Sequence, residues 1–247
     1  MGVLGIIGGS GFSALPDTEL VQRQWLDTPY GAPSADLLTL RHAGREFLFL
    51  PRHGEGHSIP PHAINYRANI HALSDAGATD VVALGAVGGI ADDCGPLRLC
   101  IPDQLIDYTW GRLGTYYDGA DGEVVHVDIT APFTSALRAR LLAAGAGIGL
   151  SLRDGGTYGV TQGPRLETAA EIRRMERDGC DLVGMTAMPE ASLARERGLH
   201  YALLAFVVNW AAGKGDGGEV GMDEIRANLA GCGDAVRSLL LALLAEA

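Results

Sequence analysis

Short apolar runs bounded by glycine alternate along the chain with segments whose apolar positions recur at helical spacing. The runs are almost continuously apolar, which is typical of strands that are buried on both faces of a sheet. We therefore predict strands at residues 3–7, 46–50, 80–84, 104–107, 157–160, 181–185 and 201–208.

The longer segments have the length and the apolar period of amphipathic helices. Pro132 and Pro189 suit a first helical turn, and Gly145, Gly179 and Gly198 suit helix ends. Strands that alternate with helices predict an α/β fold with a mixed, largely parallel central sheet flanked by helices. No repeat or linker interrupts the pattern, so we expect one domain over residues 1–247. The predicted helices are 63–76, 132–144, 167–179, 189–198 and 222–244.

Composition narrows the possible partners. The chain carries 19 Lys and Arg against 30 Asp and Glu, a net charge of −11. A nucleic-acid surface needs clustered positive charge, so we expect no nucleic-acid partner. A small anionic ligand stays possible, because a few arginines and backbone N–H groups can hold it locally.

The cysteines and the hydropathy pattern point to the cytoplasm. Cys94, Cys100, Cys180 and Cys232 are widely spaced, so we expect reduced thiols instead of a disulfide framework. The apolar N-terminus lacks a basic start and breaks into glycines, which favours a strand over a signal peptide. No run approaches the roughly 20 apolar residues of a membrane span, so we expect no membrane partner.

The first predicted strand ends in a glycine loop, residues 8–11. Small residues let backbone N–H groups approach a phosphate, and the Ser10 hydroxyl adds a donor. A dinucleotide-binding turn is the rival interpretation, but Pro16 and Asp17 interrupt the helix that must follow it. A plain tight turn also stays open.

Arg52 and His53 follow the second predicted strand. An arginine offers planar, bidentate contact to an oxyanion, and an adjacent histidine adds a further hydrogen bond. His57 and His62 lie in the same loop, but their spacing matches no familiar zinc pattern, so we expect no metal. Both Arg52 and His53 could equally be surface residues.

Further clusters follow later strands. Ala86, Val87 and Gly88 lie where a base or sugar could approach the backbone, unless the glycines there only relieve crowding. Thr186 precedes a predicted helix start, which favours anions. Met185 beside it is a candidate for packing on a sugar, although a buried methionine is more often core.

Two residues far apart in sequence suit one heterocycle. Glu167 follows Gly163-Pro164, and Asn209 ends the last apolar run. An ionised carboxylate only accepts hydrogen bonds, whereas an amide both donates and accepts. A 6-oxopurine offers an N1–H donor for Glu167, and an O6 acceptor and a protonated N7 for Asn209. If both residues face one pocket, the protein takes hypoxanthine-type or guanine-type bases and rejects adenine.

Six ordered motifs resemble those of methylthioadenosine phosphorylases, which belong with the trimeric purine nucleoside phosphorylases. The resemblance covers nearly the whole chain and implies a purine nucleoside phosphorylase-like fold assembled as a homotrimer. It also implies a pentosyltransferase with inorganic phosphate as co-substrate and no cofactor. The motifs are GIIGGSG (5–11), RHG (52–54), NYRANI (65–70), YDG (117–119), GPR (163–165) and MTAMPE (185–190).

The resemblance also implies a role for each matching residue. The implied phosphate ligands are Ser10, Arg52, His53, Thr186 and the backbone of Ala86. The implied base-binding residues are Glu167, Asn209, Leu166, Val87 and Gly88, and His53 joins Glu167 and Asn209 as catalytic. The implied ribose and 5′-group residues are Met185, His57, Met222 and, from a neighbouring subunit, His126.

Departures from the adenine-specific members set the expected substrate. Leu166-Glu167-Thr168 and Asn209 resemble the base pocket of phosphorylases that act on inosine and guanosine, while a threonine expected near Gly85 is absent. The implied reaction is phosphorolysis of a 6-oxopurine methylthionucleoside. Alternatives are a methylthioadenosine or an inosine/guanosine phosphorylase, a nucleoside hydrolase, and a non-catalytic nucleotide-binding module.

The 5′ end of the expected pocket is less well defined by the sequence. Arg226 lies where the family has an apolar residue, which leaves methylthio and 5′-hydroxyl substrates both open. Glycines at 213, 215, 217, 218 and 221 make the segment 211–221 a candidate lid.

Overall fold

The computed structural model describes residues 2–120, 122–216 and 219–245. Within them the chain forms a mixed sheet of 11 strands with helices on both faces. The strands are β1 (Val3–Gly8), β2 (Glu19–Gln24), β3 (Leu37–His42), β4 (Arg45–Pro51), β5 (Ala78–Gly89), β6 (Leu99–Ile101), β7 (Gln104–Asp107), β8 (Leu152–Asp154), β9 (Thr157–Val160), β10 (Leu182–Gly184) and β11 (His200–Trp210). The helices are α1 (Tyr66–Asp75), α2 (Ser135–Gly147), α3 (Ala169–Arg177), α4 (Ala187–Glu196) and α5 (Met222–Ala245), with short 3-10 turns at Glu55–His57 and Pro61–Ala63.

Strand β5 is the centre of the sheet. It pairs in parallel with β1 along its first half and with β11 along nearly its whole length. Its last residues, Gly88 and Gly89, pair with β10, which runs antiparallel. The carboxyl end of β10 therefore points back towards the middle of β5. Loops that follow β1, β4, β9, β10 and β11 are consequently brought to one region of the sheet.

Alternating side chains of the central strands feed two separate cores. Val81 and Leu203 face a core with α1 and α4, whereas Val82 and Leu204 face a second core with α2 and α5. Successive strand residues point to opposite faces, so a strand covered on both sides must be apolar at every position. This explains why β5 and β11 were recognisable as continuous apolar runs.

The α/β fold class expected from the sequence is confirmed, and each predicted strand and helix is present. Strands β7 and β9 have the predicted bounds, and the other predicted elements have shifted ends. Strands β2, β3, β6 and β8 were not predicted. All six residues of β2 are exposed, so this strand carries no long apolar run. Strands β6 and β8 have three residues each, which is too short for such a run.

The starts of α1, α2, α3 and α4 differ from the prediction by two or three residues, and two of these shifts change how a residue is placed. Helix α2 begins at Ser135, so Pro132 lies outside its first turn. Helix α3 begins at Ala169, after Thr168 accepts a hydrogen bond from the backbone of Glu171 in a capping box. Glu167 therefore lies in the loop before α3, where its side chain is not tied to a helical face.

The four cysteines are buried and unpaired, as expected. Helix α5 is long and apolar enough to cross a membrane by length and composition, which the sequence reasoning had missed. In the structure its residues Val236, Leu239, Leu240 and Leu243 pack into the core beside β11.

Candidate active site

A cavity of about 430 Å³ lies where the loops after β1, β4, β9, β10 and β11 meet the middle of β5. Nearly all the site residues predicted from the sequence line it. They are Ser10, Arg52, His53, His57, Ala86, Val87, Gly88, Leu166, Glu167, Met185, Thr186, Asn209 and Met222. Glu167 and Asn209, 42 positions apart in sequence (209 − 167 = 42), thus share one cavity.

His126 is the exception among the predicted residues. Its side chain is exposed and does not line the cavity of its own chain. Its assignment was to the pocket of a neighbouring subunit, so that role stays a prediction.

Arg52 is buried at one side of the cavity and donates three hydrogen bonds to other groups of the protein. Its Nε and Nη2 atoms donate to the two carboxylate oxygens of Glu190, at 2.5 and 3.0 Å, and Nη1 donates to the Leu84 carbonyl at 2.7 Å. Burial alone would lower the pKa of Arg52, but the charge and hydrogen bonds of Glu190 raise the pKa by more than burial lowers it. The guanidinium therefore stays charged. Two of its five N–H groups remain for a ligand.

Glu190 is fully buried and also accepts a hydrogen bond from the Tyr201 hydroxyl at 2.8 Å. Glu190 ends the MTAMPE motif, and no role was predicted for it from the sequence. The two hydrogen bonds to its carboxylate fix the plane of the Arg52 guanidinium, and its negative charge balances the positive charge of the arginine.

His53 is buried beside Arg52 and is neutral at pH 7. Its Nδ1 lies 2.9 Å from the Ile59 carbonyl, which can only accept, so Nδ1 carries the proton. Burial and then the charge of Arg52 lower the pKa of the ring to about 4. The centroid of the ring lies 4.3 Å from that of His57, with the two ring planes tilted by 37°.

The glycine loop closes this side of the cavity. A Cβ at Gly9 would lie 2.3 Å from the Leu84 carbonyl oxygen and 3.1 Å from Arg52 Nη1, so only glycine allows this approach. Ser10 follows at the cavity wall. Thr186, the N-cap residue of α4, also lines the cavity, and its hydroxyl makes no capping hydrogen bond. Together these groups provide donors for an anion.

A β-bulge aims Asn209 into the cavity. The register between β11 and β5 steps from Val207 opposite Val87 to Asn209 opposite Gly88, so Val208 is an extra residue. Because of the bulge, both Val208 and Asn209 line the cavity. The Asn209 amide donates one hydrogen bond to the Trp210 carbonyl at 2.7 Å, which leaves its oxygen and a second N–H for a ligand.

Glu167 enters the cavity from the loop after β9. Its Oε1 accepts a hydrogen bond from the Thr161 hydroxyl at 2.6 Å. Burial raises the pKa of Glu167, and the Thr161 hydrogen bond acts against that rise. Thr161 was not recognised from the sequence, since a lone threonine after a strand has no distinguishing pattern.

A further wall of the cavity is apolar and comes from helix α5 and from Val220, just before the helix. Ile225 and Leu229, one helical turn apart, line the cavity together with Met222 and Val220. Arg226, which lies where the resembled family has an apolar residue, pairs with Asp223 at the surface. It is not among the residues that line the cavity, so it places no charge in this apolar wall. In the segment 211–221, Ala211 and Ala212 also line the cavity, and Gly217 and Gly218 lie outside the described residues.

Within residues 2–120, 122–216 and 219–245, no group of three or more His, Cys, Asp and Glu side chains is placed to hold a metal ion.

The chain belongs to the phosphorylase superfamily, whose family model matches residues 3–245. It is 55% identical to a probable S-methyl-5'-thioinosine phosphorylase of Xanthomonas campestris, over 98% of this chain and 96% of that protein. It is 45% identical to the 6-oxopurine nucleoside phosphorylase of Pyrococcus furiosus, over 85% of this chain and 80% of that protein.

Solved structures agree with this placement. Methylthioadenosine phosphorylase from Schistosoma mansoni, in complex with adenine, superposes with a TM-score of 0.93 at 33% identity. The match covers 98% of this chain and 91% of that one. This protein is therefore an enzyme of the phosphorylase type.

The buried His53 predicts a defined sensitivity to acid. In the unfolded chain the ring binds a proton near pH 6.5, but in the folded chain only near pH 4. The stability that the neutral ring allows is present above about pH 6.5 and falls as the pH drops towards about 4. Between about pH 6.5 and pH 4, we expect the unfolding free energy to fall less in His53→Gln than in the wild type, by about 3 kcal/mol at most. Urea titrations at several pH values in this window measure the difference.

The control is His62→Gln, at an exposed position of the same loop, which should follow the wild type. Equal acid losses in wild type and His53→Gln would contradict the burial of a neutral ring.

The Arg52–Glu190 pair predicts an asymmetric loss of stability. In Glu190→Gln the Arg52 charge stays buried without its counter-charge, and we expect a loss of about 3 kcal/mol in unfolding free energy. Glu196→Gln is the matched control, because this half-buried carboxylate on the same helix only accepts hydrogen bonds from Thr115 and Tyr116. Similar losses in both variants, measured by urea unfolding, would show that Glu190 carries no special charge-balancing role.

Proposed function

We propose that this protein cleaves the N-glycosidic bond of a 6-oxopurine 5′-methylthionucleoside with inorganic phosphate. For S-methyl-5′-thioinosine the products are hypoxanthine and 5-methylthioribose 1-phosphate. The single observation that carries the proposal is that Glu167 and Asn209 line the same cavity. The name of the Xanthomonas campestris relative supports it independently.

The base end of the cavity supports a 6-oxopurine. An ionised Glu167 accepts from N1–H, and the Asn209 amide donates to O6 and accepts from a protonated N7. Adenine presents an unprotonated N1 and an amino group at position 6, so an acceptor would face an acceptor at N1 and a donor would face a donor at position 6. Unpaired buried polar groups of this kind can cost several powers of ten in specificity.

The opposite end supports phosphate. Arg52, His53, Ser10, Thr186 and the backbone N–H of Ala86 would surround it beneath the anomeric carbon. The Arg52 charge is already balanced by Glu190, and His53 is neutral, so the phosphate keeps most of its negative charge. That charge would stabilise the oxocarbenium-like ribosyl group as the glycosidic bond breaks.

Departure of the base would be assisted at N7 and O6. Electron density moves onto the purine as the bond to the sugar lengthens, so hydrogen bonds from Asn209 become stronger in the transition state than in the ground state. We propose no metal or organic cofactor, with inorganic phosphate as the co-substrate.

The apolar wall of α5 supports the methylthio group. Met222, Ile225 and Leu229 would pack against the 5′ substituent, with Met185 at the ribose. We further propose a cytoplasmic homotrimer in which His126 of a neighbouring subunit completes the 5′ end. An inosine or guanosine phosphorylase is the second candidate, because the polar side chains of His57 and Ser58 line the same cavity and can meet a 5′-hydroxyl.

A substrate comparison tests the proposal. We expect kcat/KM to rank methylthioinosine above inosine and methylthioadenosine, with no turnover when phosphate is omitted. A methyl-sized contact discriminates by about 1–3 kcal/mol, so the preference over inosine should be roughly 10-fold to 100-fold. Turnover without phosphate would indicate a hydrolase, and a preference for methylthioadenosine would overturn the base assignment.

Exchanging the two base-facing side chains should reverse the base preference. In the double variant Glu167→Ser with Asn209→Asp, we expect the ratio of kcat/KM for methylthioinosine over methylthioadenosine to fall by at least ~100-fold. Leu166→Ala is the control, because it removes apolar contact from the same cavity without changing donors or acceptors. An unchanged ratio in the double variant would remove the proposed roles of both residues.

A further inference from the structure

Thr161 holds one oxygen of the Glu167 carboxylate. Its Oγ1 lies 2.6 Å from Glu167 Oε1 and 3.3 Å from the Gly184 carbonyl. The hydroxyl has a single proton, and the short bond to the carboxylate is the stronger of the two. The other carboxylate oxygen is left for a ligand.

The position of Thr161 is fixed by the sheet. Its backbone N–H donates to the Gly184 carbonyl at 2.8 Å, directly beyond the pairing of Val160 with Gly184 between β9 and β10. The side chain is also buried. Glu167, in contrast, lies on a loop, so Thr161 ties a loop carboxylate to a rigid strand end.

Glu167 lies between two cavities, which makes its protonation state sensitive to its neighbours. Thr161 and Glu167 both line a second cavity of about 480 Å³ outside the base pocket. Arg165 and Glu171 lie there and pair with each other at 2.7 and 2.8 Å, so they largely neutralise one another. The charged and titratable groups around Glu167 are Asp107, Tyr108, Arg165, Glu171 and Arg174 on this side, and Arg52, His53 and His57 across the base pocket.

The protonation state of Glu167 decides which purine it accepts. An ionised carboxylate accepts from the N1–H of a 6-oxopurine. A protonated carboxyl donates instead, and it then matches the unprotonated N1 of a 6-aminopurine. Discrimination between the two bases therefore needs a carboxylate that stays ionised although it is buried.

We propose that Thr161 is the positioning residue that keeps Glu167 ionised and thereby makes the site reject 6-aminopurines. This inference rests on the proposed function. A hydroxyl that donates to the carboxylate stabilises the ionised form and opposes the effect of burial. Without it, the carboxyl takes up a proton at higher pH, and the base preference weakens there.

The test is the pH dependence of base preference in Thr161→Val, which replaces the hydroxyl by a methyl group of similar size. The ratio of kcat/KM for methylthioinosine over methylthioadenosine is measured between pH 5.5 and 7.5. We expect the ratio to decrease as the pH is lowered in both proteins. In Thr161→Val the midpoint of this decrease should lie about one to two pH units higher than in the wild type. Phosphate ionisation affects both substrates alike and cancels in the ratio.

Thr161→Ser is the matched control, because it keeps the hydroxyl and should keep the wild-type profile. Thr161→Ala serves as a second variant without the hydroxyl if Thr161→Val does not fold. A purely structural role would lower both kcat/KM values together and leave the midpoint unmoved, which would overturn the inference. A wild type with no preference for methylthioinosine would instead refute the proposed function, so the two failures are distinguishable.

Discussion

The site depends on the double pairing of β5. This strand continues beyond the end of β1 and is flanked there by β11 on one side and β10 on the other. Since β10 runs antiparallel to β5, its carboxyl end meets the middle of β5 and not its tip. Met185 and Thr186 thereby line the same cavity as Ala86, together with Arg52 and Ser10.

Arg52, His53 and Glu167 each have a protein partner that limits what the side chain can do. Glu190 and the Leu84 carbonyl take up three of the five N–H donors of Arg52. The Ile59 carbonyl fixes the tautomer of His53, and Thr161 occupies one oxygen of Glu167. These hydrogen bonds change the free energy of folding little, because each one replaces a hydrogen bond to water. Loss of a partner, however, would leave a buried charge or donor unpaired. The groups left open are those that we propose to meet a phosphate at one end and a 6-oxopurine at the other.

The sequence predicted the buried strands and the residues at their ends well, because strands covered on both faces must be apolar throughout. It could not predict the exposed β2, whose residues alternate in no core-facing pattern. It placed Glu167 in a helix, although Thr168-Ala169-Ala170-Glu171 is a capping-box pattern that could have marked Thr168 as the N-cap and left Glu167 in the preceding loop. The bulge at Val208 and the Arg52–Glu190 pair, which joins residues 138 positions apart, are consequences of tertiary packing that no local pattern carries.

The central claim is that a carboxylate and an amide together recognise the edge of a 6-oxopurine. Calorimetric titration of the protein with hypoxanthine and with adenine at neutral pH, with phosphate present, tests it most directly. The account predicts that hypoxanthine binds at least ~100-fold more tightly, a difference of about 2.7 kcal/mol. Equal affinities, or tighter binding of adenine, would contradict it.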